Sequence, residues 1–262
     1  MPNPVLNEKS FREASNAGWA APDSATQYMP GISDGPASPM GSTGRMTMSG
    51  TMTATGVLFA LLLGAAVFGW NAVKAGSSGL ILGAILLGFV LSMVLRFKPK
   101  LAMFIAPVYA LVEGFAVGGI SKYYNTAYPG IVLQAVGATL AVFAVMLTLY
   151  STRIIKVTDR MRRAVGAATL GLMLFYGLSL ILRLFNIQTP LINSASPFGI
   201  LFSVVAAGLA AWNLALDFDN IEKWTKAGSP KHMEWYAGFG LLVTVVWLYL
   251  ELLRLLSKLN RR

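Results

Sequence analysis

The chain contains no cysteine and a single histidine, His232, among 262 residues. The first absence excludes disulfides, thiolate metal centres and cysteine nucleophiles. The second excludes zinc sites built on paired histidines. Charge is scarce as well: 12% of the residues are charged, about half of the ~25% usual in a soluble domain. Mean hydropathy is +0.61. No Gly-x-Ser-x-Gly element is present, and no acid shares its membrane depth with a His, a Cys or a second aspartate, which argues against an enzyme. No glycine-rich stretch follows a strand or precedes Lys-Ser/Thr, so a phosphate loop is not supported. Nothing implies a cofactor. These deficits together point to an all-α integral membrane protein whose first partner is the lipid bilayer.

What charge there is has a telling distribution. The net charge of +10 could suggest nucleic acid, but the basic residues lie in short clusters between apolar runs. That is the pattern of loop charges that set topology, and no basic stripe with interleaved aromatics accompanies it. Residues 1–50 form a separate segment, with six of the twelve prolines and much Ser, Asn, Gly and Thr. Such a stretch cannot bury enough apolar surface to offset its ordering entropy, so a disordered polar tail is expected. Near its start it has no apolar run of the kind a secretory signal carries.

Residues 51–262 carry the transmembrane domain. A spanning helix needs about 20 apolar residues, and seven segments meet that measure: 54–73, 79–95, 101–120, 130–150, 164–184, 198–216 and 235–256. Breakers such as Lys98-Pro-Lys100, Tyr128-Pro-Gly130, Thr189-Pro190 and Gly228-Ser-Pro230 separate them. Short connections make consecutive helices antiparallel neighbours. With seven spans, the tail and loops 2–3, 4–5 and 6–7 share one side and hold fourteen Lys and Arg, against seven on the other. The positive-inside rule therefore puts the tail in the cytoplasm and the C-terminus outside, in a multi-pass protein of the inner (plasma) membrane. Gly114-xxx-Gly118 in the third span is a small-xxx-small spacing suited to close helix crossing.

Ionisable residues within or beside the spans are the candidates for chemistry, because placing them in hydrocarbon is costly. They fall into two layers: Glu113, Arg183, Glu251 and Arg254 toward the outer side, Asp217 and Arg96 toward the inner side. Glu113 sits roughly 20 Å into the third span at 1.5 Å per residue, where a carboxyl serves either as a satisfied packing group or as an ion or proton relay. Glu251 has Arg254 as its i+3 neighbour. Arg183 and Arg254 are placed to snorkel to the outer interface.

The sixth span closes on three acids, and they separate on inspection. Asp219 has Lys223, and Glu222 has Lys226, at i+4, the pattern of a solvated helix end. Asp217 points about 200° away from Asp219 on a helix and has Asn213 and Ile221 at its own i±4 positions. It has to find a partner on another helix, and Arg96 at the same level is the candidate.

Three stretches carry a resemblance. Pro107-Val-Tyr-Ala-Leu-Val-Glu113-Gly-Phe-Ala-Val-Gly-Gly-Ile-Ser121 lies in the third span, Leu216-Asp-Phe-Asp-Asn-Ile-Glu222 closes the sixth, and Trp247-Leu-Tyr-Leu-Glu-Leu-Leu-Arg254 lies in the seventh. In order and spacing the chain resembles the Bax inhibitor-1/YccA-like membrane proteins, in particular their bacterial branch with a long polar N-terminal tail. The resemblance implies a seven-transmembrane-helix bundle with a central seventh helix. In some members it implies a pH-sensitive calcium leak in which aspartates on helices six and seven share protons and an arginine latches the closed pore. Asp217 falls on the first aspartate and Thr244 on the second, so the acidic pair is missing here. Arg96 takes the latch by position.

Two functions follow as expectations. One is a passive cation pathway, for calcium, gated near Asp217 with Thr244, Arg96 and Glu113 along it. A lone Asp217 would bind Ca²⁺ weakly and transiently, because calcium prefers a shell of many oxygens. The other is a non-conducting interaction protein that binds a membrane protease or another membrane partner.

Overall fold

The computed structural model describes residues 44–72, 78–185 and 194–261. Seven long helices follow one another: α1 Met48–Ala72, α2 Ser78–Phe97, α3 Ala102–Ala127, α4 Ile131–Ser151, α5 Asp159–Leu184, α6 Pro197–Lys226 and α7 Met233–Leu259, with a 3₁₀ turn at Pro99–Leu101. Each is long and apolar enough to cross a membrane, and among the described residues there is no β-strand. The chain is an all-α, multi-pass membrane bundle. The tail expected over residues 1–50 lies outside the described residues up to residue 43. Its last stretch is already structured, since Arg45 pairs with Pro230 and α1 starts at Met48.

The seventh helix is the centre. It packs against α1, α3, α4 and α6, and 56% of its spanning window is buried inside the bundle, against 6% for α5 and 11% for α2. Leu242, Leu248 and Leu253 of α7 are fully covered. The helices without such cover turn Leu, Phe and Val outward, as lipid-facing surfaces do.

Glycine sets the tightest crossing, α1 on α3. A Cβ on Gly114 would lie 2.2 Å from the Leu62 carbonyl oxygen, and one on Gly118 2.0 Å from that of Ala66. Only hydrogen at these positions lets the backbones touch, which is the physical content of the small-xxx-small spacing.

Several helix ends lie beyond the expected spans, those of α6 and α1 among them. α6 is started by the Ser196 side chain, which accepts from the Gly199 amide at 3.2 Å, with Pro197 in the first turn. It then runs ten residues past Leu216 to Lys226 and stops before Gly228, whose φ of +65° suits glycine. The charged run does not end the helix, because Phe218 packs edge-on against Phe143 and Ile221 is buried beside Met46 and Ala237. α1 is capped from far along the chain. The amide and the hydroxyl of Thr47 both donate to Glu234 Oε1 at 2.9 Å, and Gly50 leaves the room that this carboxylate occupies.

Candidate functional site

Along α7, positions 240, 244, 247, 251, 254 and 258 repeat at intervals of four and three, so they share one face. Starting from Gly240, this face carries Thr244, Trp247, Glu251, Arg254 and Lys258, most of the polar side chains beyond Tyr236. It meets α6 and α5, and the contacts form a seam in two parts, named inner at Thr244 and outer at Glu251 after the layers expected from the sequence.

In the inner part, the Thr244 hydroxyl donates to Asp217 Oδ2 at 2.6 Å, joining α6 to α7. The same hydroxyl lies 3.2 Å from the Gly240 carbonyl oxygen of its own helix. One proton cannot serve both acceptors, and the shorter contact is the one across the interface. One turn back on α6, Asn213 Nδ2 donates to Thr169 Oγ1 of α5 and to the Leu209 carbonyl, each at 2.8 Å. Asp217 forms no ion pair among the described residues and stays partly exposed. Since α6 continues to Lys226, Asp217 sits nine residues from the helix end, roughly 13 Å at the α-helical rise.

Arg96 does not meet Asp217. It occupies the exposed last turn of α2, a helix that packs chiefly on α3 and the 3₁₀ turn, so its place in the bundle keeps it from α6. Glu113 is also apart from the seam. Its carboxylate approaches α2, with Oε2 3.0 Å from where a Cβ on Gly88 would be. Tyr109, one turn earlier on α3, presents its hydroxyl to it. Of the four candidate residues, the structure brings together only Asp217 and Thr244.

The outer part is ionic. Glu251 is 1% exposed. It takes Arg254 Nη1 at 3.0 Å on each oxygen, the Tyr176 hydroxyl of α5 at 2.8 Å and the Trp247 indole N–H at 3.2 Å. Arg254 therefore does not snorkel outward; it also donates to the Tyr176 oxygen at 2.8 Å and lies over that ring, 4.9 Å from its centroid. The Arg183 side chain lies outside the described residues. Lys258, 2% exposed, donates to the Gly199 carbonyl and to Ser203 Oγ on α6, both at 2.8 Å. Tyr176, Ser203 and Lys258 carry no signal in the local sequence. The four-three spacing of polar residues on α7 is the one trace of this seam that could have been read there.

Past Asp217, the acids of α6 face the loop and the helix on its flank. Asp219 pairs with Lys223 at 2.8 Å and with Arg162 of α5, and Glu222 with Lys226 and Arg153, both at 2.6 Å. The Tyr150 hydroxyl donates to Glu222 as well. The lysines are those their spacing points to, whereas Arg153 arrives from the 4–5 connection and Arg162 from the first turn of α5. Arg153 lies outside the spans, and its hydrogen bond to Glu222 holds its guanidinium above the ordinary arginine value.

The chain is thus a seven-helix bundle with a central seventh helix and an α6–α7 polar contact at Asp217. A family model described as Bax inhibitor 1 like matches residues 3–261, essentially the whole chain. The chain belongs to the Bax inhibitor 1 like family. No curated protein matches it. Within this family assignment, among the described residues no three acidic or histidine side chains converge as a metal cage would require. Asp217 and Thr244 supply two side-chain oxygens at the seam.

Proposed function

We propose that this Bax inhibitor 1 like protein is a passive cation pathway, for calcium, with Asp217 as its gate. The supporting observation is the Asp217–Thr244 hydrogen bond, which joins α6 to α7 through a carboxylate that has no ion-pair partner among the described residues. A carboxylate in that setting interacts with a passing cation by its charge, and protonation removes the charge, so flux follows pH. Two side-chain oxygens fall well short of the ~6–8 that hold calcium firmly, and weak binding suits conduction, where an ion must leave as readily as it enters. In this reading the tail side is cytoplasmic and the protein sits in the plasma membrane of a bacterium.

The test is calcium entry into proteoliposomes measured across pH. Wild type gives a pH-dependent flux, Asp217→Asn gives a flux that no longer follows pH, and Thr244→Asp steepens the dependence by restoring an acidic pair. A wild-type flux unchanged by either substitution puts the gate elsewhere.

A second reading has its own support. On α5, Leu170, Leu174, Leu178 and Ile181 form an exposed apolar stripe, each more than half exposed. This would suit docking of another membrane protein, such as a protease, by a chain that conducts nothing. Wild-type liposomes without flux, together with a partner lost on substituting that stripe, would decide for it.

A further inference from the structure

Where α1 and α7 begin, the chain just before α1 is strapped to the connection between α6 and α7. The Met46 amide donates to the Ser229 carbonyl at 2.6 Å, the Lys231 amide donates to that of Gly44 at 3.0 Å, and Arg45 bridges Pro230. Met46 is 3% exposed and packs with Ile221 and Ala237, so apolar burial fixes the strap. Its effect is to bring Arg45 and Lys231 together at a cavity of about 470 Å³. That volume falls within the ~300–1,000 Å³ of small-molecule sites. Ser49 and Thr53 of α1 and Glu234 and Trp235 of α7 also line it.

The charges in this cavity are arranged for a ligand of two signs. Neither Arg45 nor Lys231 has an ion-pair partner among the described residues. Glu234 is 5% exposed and uses only Oε1 to hold Thr47. Its Oε2 has no hydrogen-bond partner among the described residues and keeps accessible surface at the cavity, where it can take a donor from a ligand. A simple anion would satisfy the cations and be repelled by Glu234. A simple cation would have the reverse difficulty. A phosphodiester carrying a primary ammonium a few bonds away satisfies both.

Position selects a lipid as its carrier. The cavity lies where two spans start, beside a tryptophan of the kind that marks membrane interfaces. Ser49 and Thr53 crown the exposed face of α1, which continues through Val57, Leu63 and Val67. We propose that the cavity binds the headgroup of an aminophospholipid of the phosphatidylethanolamine type. Arg45 and Lys231 take the phosphate with the hydroxyls of Ser49 and Thr53, Glu234 takes the ammonium, and the acyl chains run down α1.

Native mass spectrometry on the delipidated full-length protein tests this with short-chain phosphatidylethanolamine, phosphatidylglycerol, phosphatidylcholine and free phosphoethanolamine. The expected order places phosphatidylethanolamine first. Replacing both cations, Arg45→Gln with Lys231→Gln, weakens its binding about tenfold or more through loss of charge-assisted hydrogen bonds. Glu234→Gln weakens phosphatidylethanolamine but not phosphatidylglycerol. Because Glu234 also caps α1, the Arg45/Lys231 variant, made at exposed positions, is the decisive one. Equal binding of the three lipids, or no loss in that variant, overturns the proposal. Free phosphoethanolamine binding as tightly as the lipid overturns the assignment to a lipid.

Discussion

Asp217 and Glu251 are carboxylates on one seam, about as far from their own helix ends as each other, yet their surroundings are opposite. Asp217 has a single threonine hydroxyl and some access to the surface. Glu251 is enclosed and takes four hydrogen bonds, two of them from an arginine on its own helix. An enclosed and compensated charge of this kind locks helices together, and removing either partner leaves the other stranded. A lightly held carboxylate can change partner or charge at little cost. The outer part of the seam is thus built to stay put, and the inner part is the one free to respond.

That contrast is open to attack by substitution. Arg254→Ala should have the largest effect, about 3 kcal/mol of lost stability, because it leaves Glu251 buried without its cation. Unfolding in detergent would show it, and a loss below about 1 kcal/mol, the worth of one neutral hydrogen bond, would show that the ion pair does not lock the seam. Tyr176→Phe should cost less, about 1–2 kcal/mol, since it removes one donor to Glu251 and one acceptor from Arg254. Its signature is local: α5, which has little other packing, should exchange its amide hydrogens faster while α7 is unchanged. Thr244→Val should cost least, about 1 kcal/mol or under, because it removes one hydroxyl donor from a carboxylate that stays partly exposed. A Thr244→Val loss equal to that of Arg254→Ala would erase the distinction between the two parts.

The seven spans were legible because twenty-residue apolar runs have few other uses, and the ion pairs of Asp219 and Glu222 with their lysines followed from helical spacing alone. The tertiary partners of the end of α6 were not legible. Asp-Phe-Asp-Asn-Ile-Glu has the composition of a chain leaving the membrane, and the burial of Phe218 and Ile221 and the pairing with Arg153 and Arg162 add to the i+4 lysine pairs in holding it. The partner of Asp217 divides along the same line. Depth and charge pointed to Arg96, whereas the Thr244 position came from the family resemblance, and nothing in the residues of either helix specifies that contact. Tyr176 was invisible for the same reason: a tyrosine in an apolar run reveals no partner 75 residues away.

The cap on α1 has a consequence for how the protein is made. Thr47 and Glu234 are 187 residues apart, so the first span enters the membrane long before the carboxylate that finishes its end has been synthesised. Until α7 is inserted, the leading turn of α1 has only its local bonds, from the Gly50 amide to the Thr47 hydroxyl and from Thr51 to the Thr47 carbonyl, and the strap beside it lacks the connection it pairs with. A ribosome stalled anywhere before residue 234 should therefore leave a bundle whose oldest helix is still frayed, and completion of the last span is what closes the ring.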